Sequence, residues 1–298
     1  MISEMLQHDF MRRALLGGMV LGFTNGFLGS FIILRRMALM ADALSHSMLP
    51  GLAIGLMVAG LNAGSLFIGG ITAAFFVAIG SMLLSRGSRL KEDTALAILY
   101  TFAFSVGAVL LQSIPPTQVE LKHYLFGNIL GMDNADLWIT WGVALVVIPG
   151  LLLLQRPLVL TLFDPAVARS QGVAVGAMQI VIVVASVLTM ISSAQSVGVI
   201  LMLGLLVGPA ATMYLITDRF PVMLWGGAVL GCLGTLCGLL LSYRFEGIPS
   251  GAAIVIILFS VFITAFVFGP RYGLVAKIRK SRHMHDESLK RWHRHPGE

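Results

Sequence analysis

Charge is scarce in this sequence. Asp, Glu, Lys and Arg make up 11% of its 298 residues, against about 25% in soluble domains. Cysteine is nearly absent. Cys232 and Cys237 stand in one apolar stretch and read as small hydrophobes rather than as a metal or redox pair. No Gly-x-x-x-x-Gly-Lys-Ser/Thr segment occurs, so the chain has no P-loop of its own to hold nucleotide. No His-Glu-x-x-His occurs either, which removes the motif an intramembrane metalloprotease would need. The run from Ala14 to Leu34 ends at Arg35–Arg36 without a small-residue cleavage site. It is expected to be a retained span rather than a signal peptide.

What remains is apolar. Hydrophobic residues account for 57% of the chain and mean hydropathy is +0.90. These values predict an all-α integral membrane protein. At roughly 20 residues per span the length accommodates about nine transmembrane helices with short loops, and no sizeable soluble domain. The spans are expected near 13–34, 37–60, 63–84, 94–113, 136–155, 174–194, 196–216, 221–242 and 249–269. Residues 1–270 read as a single polytopic membrane domain, and 271–298 as a basic, His-containing cytoplasmic tail.

Orientation follows from the lysines and arginines. With the N-terminus outside and the C-terminus cytoplasmic, the inner loops and tail hold all of the 20 cations except Arg12, Arg13, Lys122 and Arg244. The net charge of +6 is then accounted for by topology and by attraction to anionic lipid of the bilayer. It calls for no nucleic acid.

Small-xxx-small ladders, Gly18/Gly22/Gly26 in the first span and Gly227/Gly231 and Gly234/Gly238 in the eighth, predict close helix packing. Residues 115–135 are too polar to span; they are expected to form an outside loop with a short amphipathic or re-entrant helix.

Against this background one pair of residues stands out. Asp42 and His46 are the sole ionisable groups between Met37 and Gly60, where a charge costs about 2.5–3.5 kcal/mol at mid-membrane. Spacing i, i+4 puts both on one helix face. They offer either ligands for a divalent cation or one hydrogen bond to each other. Carboxylate with imidazole suits Mn, Fe or Zn ions, whereas Mg and Ca ions prefer oxygen alone. Pro50 removes a backbone donor and frees the His46 carbonyl, which predicts a kink and offers a further oxygen.

A second break in apolar character falls at Phe163–Val173. Asp164 can cap a helix starting at Pro165, and Gly172 can end it. Ala166 and Arg169 lie within this short cytoplasmic helix, which reads as a docking element or an ordinary loop helix. Asn25, Thr24, Gln112, Ser192, Ser193 and Gln195 read mainly as helix–helix hydrogen-bonding groups that could also line a path. Pro209, next to Gly208, predicts a local break in the seventh span. His123 and Asp133 are candidates to meet an incoming cation. His283, His285, His293 and His295 form two His-x-His pairs, weak metal candidates in a basic tail.

The segments ILRRMALMADALSHSMLPGLAIG (33–55), LFDPAVARSQGV (162–173), SVGVILMLGLLVGPAATMYLITDRF (196–220) and FGPRYGL (268–274) resemble, in order, the manganese/iron/zinc family of bacterial ABC transporter permeases. The resemblance covers nearly the whole chain. It implies a permease subunit of the bacterial cytoplasmic (inner) membrane, dimeric with a second copy or a paralogue. Its implied partners are separate cytoplasmic ATPase subunits and an extracytoplasmic metal-binding protein. It further implies that Asp42 and His46 coordinate metal and that residues 164–173 form the coupling helix seated in the ATPase. No permanent cofactor is expected; the metal is cargo. The strings KHYLFGNILG (122–131) and YLITDRF (214–220) are closer to manganese and iron members than to zinc members, so the expected order is manganese, iron, zinc. The alternative is a secondary metal/proton transporter needing no ATPase, with Asp42–His46 as proton relay.

Overall fold

The computed structural model describes residues 9–35, 37–60, 62–114, 129–245 and 248–276. Its helices are α1 (Asp9–Leu34), α2 (Ala38–Ser47), α3 (Leu49–Ala59), α4 (Ala63–Gly87), α5 (Glu92–Gln112), α6 (Asn134–Leu153), α7 (Gln155–Phe163), α8 (Pro165–Ser170), α9 (Val175–Val197), α10 (Val199–Ile216), α11 (Phe220–Arg244) and α12 (Ser250–Phe268). Among the described residues nine helical segments are long and apolar enough to cross a membrane, α2 and α3 together counting as one. This agrees with the number read from hydropathy.

Local chemistry sets several of the boundaries. Asn62 caps α4, its side chain accepting from the Gly64 N–H at 2.9 Å. Asp133 caps α6 in a reciprocal box with Asp136, so this carboxylate is engaged as a helix cap. Gly198, at φ 83°, is the single residue between α9 and α10.

Two sets of helices result. In the first, α1 packs along α11, and α10 and α12 complete the group. The α1–α11 seam is closed by glycine: a Cβ on Gly22 would collide with the Gly231 carbonyl, and one on Gly26 with that of Gly227. The ladders therefore pair within one chain, where lipid supplies no hydrophobic push and close backbone approach must hold the helices. Trp225 and Phe220 of α11 add edge-on contacts to Phe27 and Phe31 at 5.7 and 5.2 Å between ring centres. In the second set, α2 and α3 pack on α4 and α5. Helix α9 touches both sets, and α6 packs against α1 and α9. Phe31, Leu44, Met48 and Met190 are buried in the continuous core that joins them.

Two expectations need correction. The segment between spans five and six is not a loop leading to one short helix: α7 precedes α8. Pro157 lies in the first turn of α7, where its missing N–H costs nothing, and Leu158 and Thr161 anchor the helix by burial. Pro209 does not break its span; α10 continues through it from Val199 to Ile216. Pro209 is buried, and α10 is held on several sides by α1, α11 and α12, so packing outweighs one lost backbone bond. Near the start of α6, Ile129–Gly131 form a single 3-10 turn; the rest of the expected amphipathic segment, including Lys122 and His123, lies outside the described residues. So do His283, His285, His293 and His295.

Candidate functional site

Helix α2 carries an open stripe. Leu39, Asp42 and His46 follow the i, i+3, i+7 spacing of one helix face and remain at least partly exposed. The opposite face, Ala41, Leu44, Ser45 and Met48, is buried. On the open face His46 Nε2 stands 3.6 Å from Asp42 Oδ1, with the two side chains 32% and 50% exposed. That separation is too long for a hydrogen bond. The two groups are neighbours with free lone pairs, not a closed lock. Phe104 of α5 meets the His46 ring edge-on, 5.8 Å between centres at 87°. The contact restricts the swing of the imidazole ring.

Helix α2 ends just beyond this pair. The helix stops at Ser47, and Pro50 occupies the first turn of α3, so the expected kink is a break between two helices. The His46 carbonyl is not left open, because the Met48 N–H donates to it. Gly107 of α5 forms the seat for the break. A Cβ there would come within 2.7 Å of the Pro50 nitrogen and 2.8 Å of Leu49 Cβ. Neither Phe104 nor Gly107 is marked by its own neighbours in sequence; each gains its role from a contact across helices.

One chain supplies an incomplete ligand set. Among the described residues no group of three or more His, Cys, Asp or Glu side chains converges. A carboxylate and an imidazole exposed in a membrane span leave room for ligands from water or a second molecule.

The other candidates sort by environment. Asn25 is fully buried; its Nδ2 donates to the Leu21 carbonyl at 2.8 Å and to Ser193 Oγ of α9 at 2.7 Å. Its Oδ1 has no partner among the described residues. Gln195 Nε2 ties α9 to the Ala63 carbonyl at 2.9 Å and to Asp136 Oδ1 at 3.3 Å. Thr140 of α6 lies 3.5 Å from both Ser192 and Ser196 hydroxyls. Apart from the Asn25–Leu21 bond, which lies within α1, these join different helices. Gly208 faces Leu258 of α12, and Pro209 is buried beside it.

The second candidate element is α8. Asp164 Oδ1 accepts from the Ala166 and Val167 N–H groups, both at 3.0 Å, and Pro165 is the first helical residue. At the other end Gly172 has φ 79°. Its N–H donates to the Arg169 carbonyl at 3.0 Å and that of Val173 to Ala168 at 2.9 Å. Those two bonds form a Schellman closure. Ala168 is fully buried and pins α8 down. Asp164, Pro165, Ala166, Val167 and Arg169 face outward, with Phe163 beside them 66% exposed. A rigid, doubly capped helix thus presents a mixed polar and apolar surface.

At the α1 end nearest α2, burial lowers the affinity of the Arg35 guanidinium for its proton, and the charge of Glu92 at the start of α5 offsets part of that. Arg35 remains charged, since guanidinium does not deprotonate in proteins.

Residues 7–269 match the model of the ABC 3 transport family. The manganese transport system membrane protein MntC of Halalkalibacterium halodurans is 38% identical over 275 residues, covering 92% of each chain. The manganese import system permease protein ScaB of Streptococcus parasanguinis is 36% identical over 282 residues, covering 95% of this chain and 96% of the other. The solved structure of PsaBC from Streptococcus pneumoniae in complex with Fab contains a chain that superposes with a TM-score of 0.80. That chain is 33% identical, with 91% of this chain and 98% of the other covered.

Proposed function

The chain belongs to the ABC 3 transport family, and on that premise we propose that it is the membrane permease subunit of an ATP-driven manganese importer. The carrying observation is the Asp42–His46 pair, 3.6 Å apart on the open face of α2 within a membrane span. Curated relatives over nearly the full length are named for manganese transport or import, which supports manganese ahead of iron and zinc.

In this reading the metal is cargo and the pair is a way-station. Two permease subunits facing one another across their α2 stripes supply two carboxylates and two imidazoles. This is enough to replace part of a hydration shell and still weak enough to let the ion go. The second subunit is another copy or a paralogue. Such an N/O set binds zinc more strongly than manganese, so selection rests largely on the extracytoplasmic metal-binding protein that delivers the ion.

Energy comes from separate ATPase subunits on the cytoplasmic side, with Asp164, Pro165, Ala166, Arg169 and Gly172 building the coupling helix that docks on them. Placing α8 there sets the N-terminus outside and the C-terminus inside, in a bacterial cytoplasmic membrane. Residues 1–270 then form the permease domain and 271–298 a cytoplasmic tail.

The test is manganese uptake into vesicles holding the chain with its ATPase and binding protein. Asp42→Ala and His46→Ala are each expected to abolish uptake while the complex assembles and hydrolyses ATP. Near-normal uptake in both variants overturns the site. Uptake sustained without the ATPase replaces the importer with a metal/proton exchanger.

A further inference from the structure

We propose that the groove between α1 and α6 is a binding site for one phospholipid, with Arg13 holding the headgroup phosphate and an acyl chain lying along the groove. The cavity measures about 430 Å³ and is lined by Leu16, Val20, Phe23, Trp141, Leu145 and Ile148, with Cys232 of α11 in its wall. It is open: Leu145 is 68% exposed and Leu16 43%.

Its depth matches a leaflet. Arg13, Leu16, Val20 and Phe23 follow one another on a single face of α1. From Arg13 to Phe23 the helix rises about 15 Å, which is half of a hydrocarbon core of about 30 Å. On α6 the exposed Trp138 lies one turn above Trp141, so an aromatic belt position stands at the groove's head.

The head of the groove carries an unspent charge. Arg13 Nη1 reaches Asn134 Oδ1 of α6 at 3.5 Å, a long bond to a neutral acceptor that bridges the two walls. Its Nε is buried and has no partner among the described residues. The neighbouring cation is engaged. Arg12, the adjacent residue, pairs with Asp9 at 3.1 Å. A phosphate at Arg13 supplies the acceptors that a guanidinium fork is built to meet, and only a lipid brings phosphate and chain together at this depth.

The probe is a phosphatidylglycerol carrying a photoreactive diazirine in one acyl chain, mixed into phosphatidylethanolamine vesicles that hold the assembled transporter. Adducts are mapped by mass spectrometry. They are expected to concentrate on residues 16–23 and 141–149, above the level on the α12 face around Phe259. Arg13→Gln should lower that yield about five-fold, the worth of one basic group at a membrane surface, and Arg13→Lys should restore most of it. Diacylglycerol with the same chain should label wild type no better than phosphatidylglycerol labels Arg13→Gln. Leu145→Trp, at the open rim, should suppress groove labelling while manganese uptake confirms folding. An even spread of adducts over all exposed faces overturns the proposal. So does a yield indifferent to Arg13, or protection of both segments with cross-linking to a second copy instead.

Discussion

Gly107 is the floor beneath Pro50: no side chain separates the α5 backbone from the break between α2 and α3. The break therefore depends on a residue 57 positions away (107 − 50) as much as on the proline. Gly107→Val should push Leu49 and Pro50 outward, at about 1–3 kcal/mol for overpacking a filled contact. His46 and Asp42 sit within two turns of that break and would shift with it. The expected result is a large loss of manganese uptake with assembly retained. Gly107→Ala should give an intermediate loss. Uptake at the wild-type level in Gly107→Val would show that the break does not set the pair.

Asp164 tests α8 through its cap. Asp164→Ala leaves the Ala166 and Val167 N–H groups without their acceptor and should cost about 1 kcal/mol of local helix stability. Asp164→Asn keeps a cap of similar quality. If α8 acts as a preformed docking element, Ala should weaken co-purification with the ATPase and uncouple hydrolysis from uptake, and Asn should behave nearly as wild type. Equal loss in both would assign the carboxylate a direct contact with the partner.

The membrane fold is legible from the sequence because hydropathy and span length are strong signals, and the ends of α8 are legible because Asp164-Pro165 and Gly172 are local punctuation. What escapes is set by contacts between helices. After the fifth span the sequence marks only the short helix within Phe163–Val173, and it is the burial of Leu158 and Thr161 that makes α7 worth forming. Pro209 reads as a breaker, but α10 is packed tightly enough to run through it. For the candidate site, the i, i+4 spacing marks Asp42 and His46, whereas the ring of Phe104 that steadies His46 carries no mark of its own.

Asn25 and Ser193 join α1 to α9 in a fully buried setting, so their coupling is measurable free of solvent. In a double-mutant cycle of Asn25→Leu and Ser193→Ala, the interaction energy should fall near 0.6 kcal/mol and below about 1.7 kcal/mol, as for other bonds between membrane helices. The readout is denaturant unfolding in detergent. Asn25→Leu also removes the unpartnered Oδ1, so it should cost less than Asn25→Ala, which leaves a cavity. If Asn25 were a required part of the metal path, Asn25→Leu would instead stop uptake in a protein as stable as wild type.

The glycine seam between α1 and α11 decides between a fold-forming and a dimer-forming role for those ladders. Because Gly22 meets Gly231 and Gly26 meets Gly227 within one chain, substitution should strike the subunit itself. A Cβ at Gly26 or Gly231 meets backbone, which cannot swing aside as a side chain can. Gly26→Leu and Gly231→Leu should each therefore cost more than the usual figure of about 1–3 kcal/mol for an overpacked core and lower the unfolding midpoint accordingly. That loss should be the same for dilute monomer in detergent and for assembled complex. Gly142, where an added Cβ meets nothing, serves as the control, and Gly142→Ala should leave the midpoint unchanged or slightly raised. A loss seen only on dilution, with the monomer as stable as wild type, would place the seam between subunits instead.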